Sequence, residues 1–171
     1  MISYMKKIQF LLLLMLMSTA GISQTSIYIL LRHAEKDTST AGSSMMKADP
    51  PLTKEGEQRA QKLLEVLKAY TPDTIYSTNF IRTKNTVAPF SKKFNKEVQL
   101  YDPKLLTAFS EQLLLIKGKT IIIAGHSNTT PALVNMLLKE NKYPSLDDSV
   151  YNQLWIVTVN EGKADAKVVK Y

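Results

Sequence analysis

Each of the two histidines in this 171-residue chain follows an apolar run. His33 lies in "YILLRHAEK" (28–36) and His126 in "TIIIAGHSN" (120–128). An imidazole at a strand tip can attack phosphorus and form a covalent phosphohistidine, provided something holds the phosphoryl group in line. A phosphate monoester dianion needs fixed positive charge around its oxygens. The planar fork of arginine matches two of them at once. Arg32, beside His33, is one such clamp. Arg82, in "STNFIRTKNT" (77–86), is a second, and His126, when protonated, is a third. Backbone N–H groups from Ser127 to Thr129, ahead of a helix opening at Thr130-Pro131, make an anion-friendly helix start. The chemistry these residues suit is phosphoryl transfer on a small phosphorylated substrate, with charge balanced by two guanidinium groups and one imidazolium.

His33 and His126 are 93 positions apart, so the fold must bring them together. "SIYILL" (26–31) reads as a buried strand and "KTIIIAG" (119–125) as the most apolar, central one. Between them, Thr53 caps a helix reaching about Tyr70, whose Ala60, Leu63, Leu64 and Leu67 share one face. Residues 73–77 and 97–101 read as strands. Thr78 is a cap for the helix carrying Arg82. Asp102-Pro103 reads as an N-cap followed by Pro at the first helical position, in a helix to about Lys117. The tail "NQLWIVTVNEGKADAKVVKY" reads as a β-hairpin turning at Asn160-Glu161-Gly162. Strands alternating with helices predict an α/β fold, a three-layer αβα sandwich with a mostly parallel sheet and an antiparallel hairpin at the C-terminal edge. Ligands of such sheets bind beyond the carboxyl ends of the strands. Arg32, His33 and His126 all follow such ends.

Four segments carry a resemblance. "LLRHAEK" resembles the Arg-His signature of the histidine phosphatase superfamily, the phosphoglycerate-mutase-like fold. "PPLTKEGEQRAQKL" is similar to its Leu-Thr-x-x-Gly-x-x-Gln-Ala segment. "STNFIRTKNTV" resembles its Ser-x-x-x-Arg segment, with Thr78 in the serine position, and "IIIAGHSNTTPAL" its Gly-His segment. They occur in family order across most of residues 26–138. The resemblance implies that His33 is the phosphorylated nucleophile and that Arg32, Arg82 and His126 form the phosphate pocket. Three departures stand out. Ala34 occupies a position where many relatives have Gly, and the inserts that recognise phosphoglycerate in the mutases are absent. The interval that carries the family's general acid is short and offers Glu97, Asp102 and Glu111. Asp102, at a predicted strand end, is one candidate acid; its alternative role is the helix cap. Glu35 is the other; its alternative role is an ion pair with Arg82 or Lys36.

The absence of cysteine excludes disulfides, thiolate catalysis and zinc–thiolate sites. Two histidines are too few for an all-histidine metal site, and no metal or other cofactor is expected. "AGHSNTT" also resembles a nucleophile elbow using Ser127, but Thr129 replaces its last glycine and no histidine follows Ser127. A binding module that keeps the pocket without turnover is the other alternative. Lys6 and Lys7, the apolar run "IQFLLLLMLM" and the small residues "STAGIS" read as a signal peptide over 1–23, leaving a domain at 24–171 that is exported, periplasmic or secreted. Cleavage after Ser23 is favoured, with Ala20 the alternative, and no stable membrane insertion is expected afterwards. Without residues 1–23 the count is 20 basic against 15 acidic residues, a net charge of +5. This suits an anionic substrate. The lysines are scattered and not interleaved with aromatics, so no nucleic-acid partner is expected. Met45 and Met46 fall in a Ser/Thr/Pro-rich surface loop (37–51), with a substrate lid as the alternative role.

Overall fold

The computed structural model describes residues 24–39 and 49–171. The signal-peptide reading of 1–23 and the lid reading of Met45 and Met46 lie outside the described residues.

The chain runs β1 (Ser26–Arg32), α1 (Lys54–Val66), β2 (Thr74–Ser77), α2 (Ile81–Phe94), β3 (Val98–Leu100), α3 (Leu106–Leu115), β4 (Thr120–Gly125), α4 (Thr129–Leu138), β5 (Gln153–Asn160) and β6 (Lys163–Lys170). These strands form one sheet in the order β3-β2-β4-β1-β5-β6. The four strands β1 to β4 are mutually parallel, and β5 and β6 add the antiparallel edge. The α/β sandwich and its C-terminal hairpin are as the sequence predicts. Alternation along β1 explains the layers. Tyr28 and Leu30 point into one core with Phe109 and Leu113 of α3 and Leu133, Val134 and Leu137 of α4. Ile29 and Leu31 point into the other, with Leu63 of α1 and Val87 and Phe90 of α2. Burying each such side chain contributes roughly 1.5–3 kcal/mol before the entropy of ordering it is subtracted. Because both faces of β1 and β4 are covered, those strands are apolar between their first residues, Ser26 and Thr120, and their tips, apart from the Tyr28 hydroxyl, which donates to the Leu113 carbonyl at 2.6 Å. Among the described residues no helix is long and apolar enough to cross a membrane.

Two boundaries differ from the sequence reading for local reasons. The first helix ends at Val66, not near Tyr70, and the chain then turns toward Thr71-Pro72, where a residue ahead of proline disfavours helix. Asp102 does not cap α3, which begins at Leu106 with Leu105 as its cap. Its Oδ1 instead accepts the Lys104 N–H at 2.9 Å, closing a turn with Pro103 inside it.

Candidate active site

Register brings the functional side chains together. Arg32 is paired with Gly125 on β1 and β4, and Ser77 with Ala124 on β2 and β4. The next residues, His33, His126 and Thr78, therefore stand on three adjacent strand tips. The His33 N–H donates to the Gly125 carbonyl at 3.0 Å, which holds the two tips in step. Close packing explains the glycine before His126: a Cβ on Gly125 would come within 2.8 Å of both the Thr130 hydroxyl and the Tyr101 hydroxyl. Gly56 of α1 has the same logic, since a Cβ there would meet the Glu35 carbonyl at 2.4 Å. That glycine lets α1 lie against the Arg-His turn.

The two imidazoles stand edge to face, centroids 5.5 Å apart and 69° between planes. His33 is buried, and its Nδ1 is 2.7 Å from the Ala34 carbonyl oxygen. A carbonyl only accepts, so Nδ1 carries the proton and Nε2 keeps its lone pair. Burial lowers the His33 pKa to about 3; the Ala34 hydrogen bond opposes this, and the charges of Arg82, His126 and Arg32 add to it. Burial and the charges of Arg82 and Arg32 likewise lower His126 to about 4. The surroundings of His126 within the protein therefore favour the neutral imidazole. A bound dianion would reverse the balance of charge and favour the imidazolium.

The arginines are held in different ways. Arg32 is buried, and one terminal nitrogen donates to the carbonyls of Asp147, Asp148 and Val150 at 2.9, 3.1 and 2.9 Å. The Tyr151 ring lies against its guanidinium, 4.1 Å from centroid to Cζ. Arg82 stacks on Phe80 at 4.4 Å and reaches Asp49 Oδ1 at 3.2 Å. The Nε–H groups of Arg32 and Arg82 are buried and have no acceptor among the described residues. Two orphaned cationic donors beside two imidazoles are what an anion would satisfy.

Other expectations are redistributed. Thr78 is not a helix cap: Phe80 takes that position without a side-chain bond. The Ile81 N–H at the start of α2 is instead bonded by both oxygens of Asp49, at 2.9 and 3.0 Å. The Thr78 hydroxyl is buried, 3.0 Å from His126 Nε2 and 2.9 Å from the Thr83 hydroxyl, so it orients the second histidine. His126 Nε2 is thus engaged by Thr78, and no hydrogen bond joins the Ser127 hydroxyl to a histidine among the described residues. Ser127 stands at the foot of α4, and its carbonyl accepts the Leu146 N–H at 2.9 Å. Glu35 pairs with neither Arg82 nor Lys36. Arg59 of α1 grips it through three contacts of 2.6, 2.8 and 2.9 Å. Although burial opposes it, the Arg59 hydrogen bonds and charge lower the Glu35 pKa, so it is a carboxylate at neutral pH. Asp102 lies on an exposed turn with Lys104 as its partner. Thr78, Thr86, Asp49 and Tyr151 are the site residues that sequence reasoning missed. Thr86 accepts the Ala34 N–H at 2.9 Å and fixes the turn after His33.

The two neutral imidazoles imply a pH dependence of stability. In the unfolded chain they protonate near 6.5, while in the folded protein they do so near 3 and 4. Between those values the unfolded chain binds more protons, so stability present above pH 6.5 is lost as pH falls. Urea unfolding should show a decline on the order of a few kcal/mol between pH 6.5 and 4. A His33→Gln/His126→Gln variant should lose less over the same window. Equal losses in the two proteins would contradict the buried neutral pair.

The family model of the histidine phosphatase superfamily (branch 1) matches residues 28–111, from β1 into α3. No curated protein shows a significant sequence match. Solved structures share the fold at low identity. A mycobacterial glucosyl-3-phosphoglycerate phosphatase superposes with a TM-score of 0.64 at 13% identity, covering 87% of this chain and 98% of its own. The protein histidine phosphatase SixA complexed with tungstate gives 0.63 at 16%, covering 85% and 96%. A mutant phosphoserine phosphatase from Entamoeba histolytica with phosphoserine gives 0.61 at 17%, covering 83% and 95%. The matched segment holds Arg32, His33 and Arg82, and the likeness to the histidine phosphatase superfamily that it carries is extended over most of the chain by the shared fold.

Proposed function

We propose that the protein is a phosphatase that hydrolyses a phosphate monoester through a covalent phosphohistidine on His33. The observation that carries this reading is the bare Nε2 of a neutral His33, left by the 2.7 Å bond from Nδ1 to the Ala34 carbonyl, beside a second imidazole and two arginines. His33 Nε2 attacks phosphorus as the bond to the leaving oxygen breaks. Arg32, Arg82 and a His126 that protonates against the dianion hold the three peripheral oxygens, and the Ser127–Thr129 amides add donors on the same side. Water then attacks phosphorus, the N–P bond breaks, and phosphate leaves. No step calls for a metal. That relatives of the same fold were captured with tungstate and with phosphoserine supports a pocket for a tetrahedral oxyanion or small phosphate ester. Activity across a panel of aryl, sugar, nucleotide and amino-acid phosphates tests it: the wild type should release phosphate from at least one class, and chelator should not change the rate. Phosphate binding without turnover on any ester would favour a binding module instead.

The same reading puts the enzyme outside the cytoplasm, supported by the lysine-flanked apolar run over residues 1–23. The N-terminal residue of the exported protein should be Gln24 or Gly21. An intact Met1 on protein retained in the cytoplasm would overturn this.

A further inference from the structure

Transfer to His33 leaves an oxygen that needs a proton, and the carboxylates around the pocket are all engaged by donors. Glu35 is held by Arg59, Asp49 by the Ile81 N–H and Arg82, and Asp102 by Lys104. Asp147 accepts the Ser149 N–H and hydroxyl, and Asp148, which is exposed, reaches toward Arg32 at 3.4 Å. Tyr151 differs. Its ring is 6.1 Å from the His33 ring and packs on the Arg32 guanidinium at 4.1 Å. Its phenol is close enough to Arg82 to act on that charge as well. Among the described residues nothing accepts a hydrogen bond from its hydroxyl.

We propose that Tyr151 is a further catalytic residue, whose hydroxyl hands its proton to the leaving oxygen. This rests on the phosphohistidine reading above. In the first step the His33 Nε2–P bond forms and the P–O bond to the leaving group breaks. The leaving oxygen takes the phenolic proton, and the phenolate remains between two guanidinium groups. In the second step water adds to phosphorus, the N–P bond breaks, and the water's proton returns to Tyr151. Arg32 is locked by three carbonyls of the same loop, residues 147–150, so the loop that carries the tyrosine also fixes the cation beneath it.

Proton donation matters most for a basic leaving group. Tyr151→Phe keeps the ring over Arg32 and removes only the hydroxyl. It should slow hydrolysis of glycerol phosphate by roughly 10²–10⁴-fold and leave 4-nitrophenyl phosphate within about twofold. Asp102→Asn should leave both esters unchanged. If Tyr151→Phe slowed both esters alike, or neither, or if the wild type cleaved the aryl ester alone, the tyrosine would not be the acid. Failure of the wild type on both esters would instead sink the phosphatase reading.

Discussion

His33→Ala should abolish turnover, by roughly 10⁶-fold, the scale seen when a nucleophile that acts with its partners is removed. The protein should stay folded. The lost imidazole is buried and neutral, and its single side-chain hydrogen bond runs to the adjacent carbonyl of Ala34. Truncation therefore leaves no unpaired charge, only a small cavity and one carbonyl short of a donor, costing about 1–3 kcal/mol. Circular dichroism should be native, and inorganic phosphate should still bind, because Arg32, Arg82 and His126 remain. Residual turnover within tenfold of the wild type would mean that water attacks phosphorus directly and His33 only fills space.

Arg82→Ala should lower kcat/KM by about 3–4 kcal/mol, the usual consequence of removing one preorganised donor to developing charge. Among the described residues its side chain holds one ion-pair contact, 3.2 Å to Asp49, and an Nε–H with no acceptor. Much of its donor capacity is thus available to a ligand, whereas one terminal nitrogen of Arg32 is committed to three carbonyls. Arg82→Lys should recover only part of the loss, because an ammonium group cannot match two oxygens with a planar fork. Burial lowers the Arg82 pKa and the nearby Asp49 opposes this, but a guanidinium stays charged at neutral pH. A near-normal kcat/KM for Arg82→Ala would remove it from the phosphate pocket.

The parts of this account that were legible in the sequence share one property: the signal was local. β1 and β4 are apolar on both faces because both faces are covered, so their ends, and the histidines beyond them, could be read directly. The hairpin at Glu161-Gly162 was equally plain. What was hidden depends on partners far along the chain. Thr78 looks like a helix cap because it precedes a helix, but its hydroxyl serves His126, 48 positions away. Glu35 was read as a candidate acid or as a partner of Arg82 or Lys36, while its actual partner Arg59 arrives only because Gly56 lets α1 approach the turn. Tyr151 carries no local signal, yet its ring lies against the Arg32 guanidinium, 119 positions away. The condition on His126, that it clamps phosphate when protonated, turns on burial and two nearby guanidinium groups, which are properties of the assembled site.

The central claim is that the phosphoryl group passes through His33. Rapid quench of the wild type with a ³²P-labelled ester, followed by peptide mapping, tests it most directly. The account predicts a transient label on the peptide containing His33, stable in base, labile in acid and missing from His33→Ala. Product formation with no such intermediate, or a label that maps to another residue or survives His33→Ala, would contradict it.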